Sequence, residues 1–271
     1  MLLVAPSSRQ RKTATVATPI ELRSVVEVIA SDSEVVLGQC WRDLAEITAS
    51  GIDRVILYGP PGTGKTYAAL RFGITTDVVE RLICTEDVTS AEVTGSWCPA
   101  GADAWEWLEG PAIRAWRGDG IRGGRLVVDE VDRASGDVLS LLLAMTDTDD
   151  SARWKNPQSR EVVRPAPGYS VVMTTNLEEL EELPPALRDR FPVAIRIDQP
   201  HPSAVRSLSP DLRRAALNGS LGEPSRRISL RTFYAFDRLR RSTNAQRAAS
   251  LLFDSAEATA FLDALSIGAL G

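Results

Sequence analysis

Eight residues constrain this 271-residue chain more tightly than any others: Gly59-Pro60-Pro61-Gly62-Thr63-Gly64-Lys65-Thr66. They match G-x-x-x-x-G-K-[ST] in full, directly after a β-rich run at 55–58 and before a helix-compatible run at 67–72. Glycine reaches positive φ freely, so successive backbone N–H groups can turn inward and wrap a phosphate. A helix starting there adds its free N–H groups and its dipole. Lys65 supplies a mobile point charge for β- and γ-phosphates, and the Thr66 hydroxyl is placed for Mg2+. The plain alternative is a glycine-rich turn with no ligand. A complete match in register with strand and helix argues against it.

Short apolar runs recur at 55–58, 81–85, 126–129, 170–175 and 193–197, and helical patterns separate most of them. That alternation predicts an α/β fold, a parallel five-stranded sheet with helices on its faces. Residues 39–50 have helical spacing and stop at Gly51. After Gln199-Pro200 the pattern changes, and 211–218, 230–241 and 244–265 all read as helices. The expected organisation is a flexible tail at 1–19, an α/β core at 20–200 and a small helical domain at 201–271.

Three further motifs carry chemistry. The apolar run before Asp129-Glu130 ends in two acids. Asp129 at a strand tip would hold Mg2+, directly or through water, and Glu130 would polarise an attacking water. Many strands end in surface acids, but about 60 residues beyond a phosphate loop the pattern is far more specific. Asn176 ends the run at 170–175 and can help position that water; the plain reading is an amide favoured in turns. Arg188 and Arg190 lie in Leu187-Arg188-Asp189-Arg190-Phe191, on a short helix after two prolines. A guanidinium there can stabilise charge on a transferring phosphoryl group; the plain reading is a surface pair with Asp189.

Together these motifs resemble those of AAA+ ATPases. Walker A lies at 59–66, Walker B at 126–130, sensor 1 at Asn176, the arginine-finger region at 187–191 and a candidate sensor 2 at Ser229-Leu230-Arg231. Val36-Leu37-Gly38-Gln39 resembles the segment that packs near the adenine. Glu109-Gly110-Pro111-Ala112-Ile113-Arg114-Ala115 is similar to the "G-P-L-x-x-A" segment of the MoxR-like and dynein-related branch, where it follows a β-hairpin inserted in the second helix, here near 97–116. Residues 91–95 and 141–145 resemble that branch's "D-L-x-G" and "L-L-x-A-M". Glu92-Val93 and Ser-Leu-Arg depart from its commoner Asp-Leu and Ser-Pro-Arg. The resemblance implies a P-loop NTPase three-layer sandwich followed by an all-helical lid, with ATP and Mg2+ bound. It also implies a homo-oligomeric ring, usually a hexamer, with ATP between subunits. Arg190, or else Arg188, would reach a neighbour's nucleotide, and Arg231 its own.

Composition removes several other classes. The net charge is −5, so wholesale phosphate binding to nucleic acid is not expected. Cys40, Cys84 and Cys98 form no C-x-x-C pair, which speaks against a disulfide framework or zinc site. His201 is the only histidine and stands between two prolines, a poor start for a His-based triad. No apolar run reaches the roughly 20 residues that span a bilayer, and the N-terminus lacks the order of a secretory signal, so a cytoplasmic location is expected. Only three lysines stand against 28 arginines, and one of the three is Lys65. Charge also divides along the chain: about −12 for 20–200 and +4 for 201–271, as would suit packing between ring neighbours.

Four of six tryptophans, Trp97, Trp105, Trp107 and Trp116, fall around the expected hairpin. Packing is the favoured reading over a partner-gripping surface. The basic stretch 226–247 interleaves Phe233, Tyr234 and Phe236; we read it as a helix with aromatics inward and arginines outward. The function expected is ATP-driven remodelling of a separate protein substrate or adaptor, such as a von Willebrand A-type protein. A DNA- or RNA-acting motor and an ATP-dependent scaffold with little turnover are the alternatives.

Overall fold

The computed structural model describes residues 37–147, 151–221 and 227–268. The expected tail at 1–19 and Val36 lie outside the described residues.

Helix α1 (Gln39–Ala49) leads into strand β1 (Arg54–Tyr58), the phosphate loop and a short α2 (Lys65–Ala69). Then come β2 (Val79–Ile83), α3 (Ser90–Thr94), the hairpin β3 (Gly95–Pro99) and β4 (Trp105–Glu109), and α4 (Pro111–Arg117). Strand β5 (Arg125–Asp129), α5 (Gly136–Met145) and a small hairpin β6 (Trp154–Lys155) and β7 (Val162–Val163) follow. Strand β8 (Ser170–Thr174), α6 (Pro185–Arg190) and β9 (Val193–Arg196) complete the sheet. Five strands lie parallel in the order β2-β5-β8-β1-β9.

Strand periodicity builds the layers. Side chains alternate between faces. Ile56, Leu126, Val128, Val171 and Met173 therefore pack to one side, against Ala112, Ile113 and Trp116 of α4 and Val138 and Leu142 of α5. Val55, Leu57, Val127, Val172 and Ile195 pack to the other, against Cys40, Trp41 and Leu44 of α1 and Ala68 and Ala69 of α2. Each fully buried aliphatic side chain contributes roughly 1.5–3 kcal/mol of transfer free energy. The same parity has a functional consequence. Asp129, two residues after Val127, and Thr174, two after Val172, point to the α2 face.

The expected strand at 81–85 runs instead over Val79–Ile83. Its extent is set by β5, with Val79 opposite Arg125 and Ile83 opposite Asp129. The helix expected at 67–72 begins at Lys65 and stops at Ala69. Buried Arg125 explains the early stop: it donates to the carbonyls of Ala69, Phe72 and Gly73, the acceptors a longer helix would use. Burial pushes its pKa down to about 10.

After Pro200 the described chain is helical: α7 (Pro202–Arg206), α8 (Pro210–Leu221), α9 (Leu230–Ser242), α10 (Ala245–Leu252) and α11 (Ser255–Gly268). Their core gathers Leu212, Leu230, Phe233, Phe236, Ala249 and Phe261. The single helix expected over 244–265 is two. Asp254 breaks it by accepting from the N–H groups of Ala256 and Glu257 at 2.9 and 2.8 Å, and the extended Phe253 turns its ring onto Phe261. Phe233 and Phe236 point inward as read, but Tyr234 is exposed, with its hydroxyl donating to the Ala204 carbonyl. Arg240 and Arg241 pair with Asp237, and Arg240 also with Asp211, so these arginines are neutralised within the chain.

The tryptophans divide. Trp116 is fully buried against Tyr169. Trp107 lies between Trp97 and Trp154 and donates its backbone N–H to Gln158, which ties the two hairpins together. Trp105, opposite Pro99, remains 63% exposed, so packing does not account for it.

Candidate functional site

In a parallel sheet of this kind, loops at the carboxyl ends of the strands form the binding crevice. The phosphate loop follows β1, Glu130 follows β5 and Asn176 stands two residues beyond β8. The Gly59 N–H donates to the Leu177 carbonyl at 3.0 Å, fastening the loop to the end of β8.

The loop has the backbone its glycines permit. Gly59, Gly62 and Gly64 have φ of 114°, 81° and 105°. At Gly62 glycine is required twice over: any Cβ would also stand 2.8 Å from the Ser229 Cβ. Beside this approach, Pro60–Thr63, Glu178 and Arg227–Leu230 line a cavity of about 110 Å³. Trp41 of α1 backs the loop near Gly64 and donates its indole N–H to the Gln199 carbonyl at 2.9 Å. Gly38 caps that helix and lies against the Gln199 side chain.

Lys65 is buried, and its ammonium folds back onto the Gly59 and Pro60 carbonyls at 2.8 and 2.7 Å. Burial lowers its pKa to about 8, against the pull of Asp129 and Glu178; the nearby Arg231 charge lowers it further. Arg231 itself is exposed at the start of α9, where Ser229 accepts from the Thr232 N–H.

Asp129 is the hub. Its Oδ1 accepts from the Thr66 hydroxyl at 2.8 Å and from the Thr174 hydroxyl, and its Oδ2 from the Arg81 guanidinium. Burial works to raise its pKa, but these three hydrogen bonds prevail and hold it below the usual carboxylate range. Thr66 and Asp129 thus present a hydroxyl and a carboxylate at one corner, the hard-oxygen pair a small divalent cation takes. Among the described residues no cluster of three or more His, Cys, Asp or Glu offers a different metal site. Glu130 takes up a left-handed backbone, φ 57°, uncommon for a non-glycine residue. Its N–H donates to Thr174 at 3.3 Å, and its carboxylate meets Asn176 at 3.5 Å and Arg133 at 3.2 Å.

The fold therefore brings Gly59–Thr66, Asp129, Glu130 and Asn176 together. It does not bring the expected finger residues to them. Arg190 pairs with Asp147 at 3.6 Å, and the Nε atoms of Arg188 and Arg190 are buried without a hydrogen-bond partner among the described residues. Sequence reasoning missed Arg81, Thr174 and Glu178. Glu178 bridges Arg196 of β9, at 2.6 Å, and Arg227 just before α9. Of these only Thr174 had a local signal, as a hydroxyl two residues before Asn176.

His201 lies elsewhere, packed on Trp41 and Phe72, with Nδ1 accepting from the Ser203 N–H; burial and the nearby Arg206 lower its pKa. The three cysteines are free. Among the described residues no helix is long and apolar enough to cross a membrane.

Comparison with known proteins gives a family and a fold. No curated protein sequence matches the chain. Solved structures do. A candidate ATPase from Cytophaga hutchinsonii is 24% identical, over 64% of this chain and 49% of that one, with a TM-score of 0.42. NtrX from Brucella abortus is 16% identical with a TM-score of 0.52, over 91% of this chain and 65% of that one. The same protein in complex with ATP gives 0.51 at 16% identity, over 81% and 56%. This chain spans about half to two thirds of the length of these structures, and at such identities the likeness to NtrX is one of fold. A family profile gives the family: the AAA domain of the dynein-related subfamily matches residues 54–191, from the first residue of β1 to the residue after α6. The chain belongs to that family.

Proposed function

We propose that the chain binds and hydrolyses ATP and uses the cycle to remodel a protein partner, as part of a homo-oligomeric ring. The observation that carries the reading is the convergence on Asp129: Thr66 from the phosphate loop and Thr174 from β8 share one carboxylate oxygen, with Glu130 and Asn176 adjoining.

In this reading the backbone N–H groups of Gly59–Thr66 wrap the phosphates, and Lys65 swings from the Gly59 and Pro60 carbonyls onto the β- and γ-phosphates. The residues that would hold magnesium are Thr66 and Asp129; when bound, the ion supplies positive charge to the phosphate oxygens. Glu130 accepts a proton from the attacking water, while Asn176 orients that water and keeps the Glu130 carboxylate in place. Arg231, at the start of α9, senses the chain's own nucleotide, and Gly38 lies on the adenine side. Arg190, with Arg188 as the alternative, completes the site of a neighbouring copy. Residues 201–271 act as a lid that moves with nucleotide state. The exposed Trp105 hairpin is a surface for the partner, a separate protein or a von Willebrand A-type adaptor.

Two variants test the enzymatic part. Lys65→Ala is expected to lose nucleotide binding, and Glu130→Gln to bind nucleotide while losing phosphate release. If Glu130→Gln turns over like the parent, the chain is not a hydrolase that uses this carboxylate. A Glu130→Gln trap analysed for co-purifying chains tests the partner.

A further inference from the structure

Arg81 has no part in the reading above, yet it touches the centre of the site. It stands on β2, an edge strand, opposite Val127 of β5. Register places it on the α2 face, the face of Asp129. An arginine on an edge strand is usually solvated cover that discourages sheet pairing. Here its guanidinium is bonded to the carboxylate of Asp129, whose side chain is 6% exposed, while that of Arg81 is 42% exposed.

The distribution of contacts on Asp129 is informative. Both hydroxyls, Thr66 and Thr174, use Oδ1; Arg81 has Oδ2. Lys65, the other nearby cation, directs its hydrogen bonds at the Gly59 and Pro60 carbonyls. Among the described residues, Arg81 is therefore the one cation hydrogen-bonded to this carboxylate. A buried carboxylate needs a counter-charge, and a divalent cation would serve the same need on the same oxygens. Both cannot sit on one carboxylate without mutual repulsion, which is strong at contact distance away from bulk water.

We propose that Arg81 is a built-in competitor for magnesium, occupying Asp129 in the metal-free chain and released from it when the metal arrives with nucleotide. The proposal rests on the reading of Thr66 and Asp129 as the metal holders. Release is easy for this side chain, because its long stem is half in solvent already. Arg125 makes the contrast: 9% exposed and bonded to three carbonyls and the Ser170 hydroxyl, it is fixed in place. Arg81 thus sets the magnesium concentration at which the site becomes competent, and it keeps Asp129 paired between turnovers.

The test is equilibrium binding of a fluorescent ADP analogue to the full chain across a magnesium titration, with no turnover required. Arg81→Gln is expected to lower the half-saturating magnesium concentration about tenfold, since one positive charge and one competing donor are gone. In EDTA the thermal midpoint of this variant falls, and added magnesium raises it more than it raises the parent's. Arg81→Lys keeps the charge but not the planar fork, and is expected to lower the requirement about threefold. An unchanged or raised requirement in Arg81→Gln overturns the proposal. If that variant does not fold, an unchanged requirement in Arg81→Lys does the same. Failure of the underlying reading looks different. In that case the parent binds the analogue no better than Lys65→Ala at any magnesium concentration. If only the competitor role is wrong, the parent binds, Lys65→Ala does not, and the Arg81→Gln curve overlies the parent's.

Discussion

The phosphate-loop side of the site and the α6 side are built to different standards. Around Asp129, hydroxyls and a guanidinium meet both carboxylate oxygens within one chain. On α6, Arg188 and Arg190 have buried Nε atoms without partners among the described residues, and Arg190 pairs with Asp147 at 3.6 Å. A partly exposed pair at 3.6 Å contributes under about 1 kcal/mol. The cradle is complete within one chain, and α6 is not; the proposed sharing of a site between two copies would account for that asymmetry.

The comparison breaks first, and most visibly, at Arg190. Arg190→Ala is expected to reduce ATP turnover about a thousandfold in assembled protein. Nucleotide affinity should be unchanged, and urea-melt stability should shift by less than about 1 kcal/mol. A variant that turns over normally passes the role to Arg188 or ends it. The cradle side yields next. Lys65→Ala should weaken nucleotide binding by at least about a hundredfold, to below detection by calorimetry, if it loses a charged donor to two phosphates. Thr174→Val is a quieter probe of the same side. It removes a donor from buried Asp129 and an acceptor from the Glu130 N–H, so denaturant melts should show a loss of roughly 1–3 kcal/mol. A neutral result would mean that the threonine is incidental to the hub.

The smallest effect is a pH dependence. Lys65 has a folded pKa of about 8, below its unfolded value, so the unfolded chain binds more protons between those two values. This group's contribution therefore makes stability rise with pH from about 8 upward. Phosphate binding needs the charged ammonium and opposes that trend. Nucleotide affinity should fall as pH rises through about 8, and calorimetry in two buffers near that pH should show net proton uptake. No uptake would mean that Lys65 keeps its proton regardless of ligand.

The same contrast explains what could be read without coordinates. Loop, strand tips and Asn176 were legible because each is a local pattern: a glycine run, two acids after apolar residues, an amide after β-branched ones. The sheet was legible from alternation, and its parity follows from residue counting. The ion pairs were not. Arg81 meets Asp129 because β2 lies beside β5, and Glu178 meets Arg196 and Arg227 because β9 lies beside β1 and the chain returns before α9. No window of sequence holds both partners. The break at Phe253-Asp254 was missed for another reason. A run of good helix formers on both sides hid an aspartate that satisfies the next helix's N–H groups better than the previous helix's interior could use it. Trp105 departs from the expected packing because hairpin alternation gives its face but not whether anything covers that face.

The approach of Ser229 to Gly62 has a mechanical consequence. Ser229 is the foot of α9, whose 13 residues make a rod of about 20 Å at 1.5 Å per residue. The rod stands with its foot on the loop that would close round a phosphate. A tilt of about 10° at the foot would sweep the far end through roughly 3.5 Å. Because Gly62 has no side chain at this contact, a small shift of the loop would reach the foot of α9 directly, and the length of the helix would enlarge it at the far end.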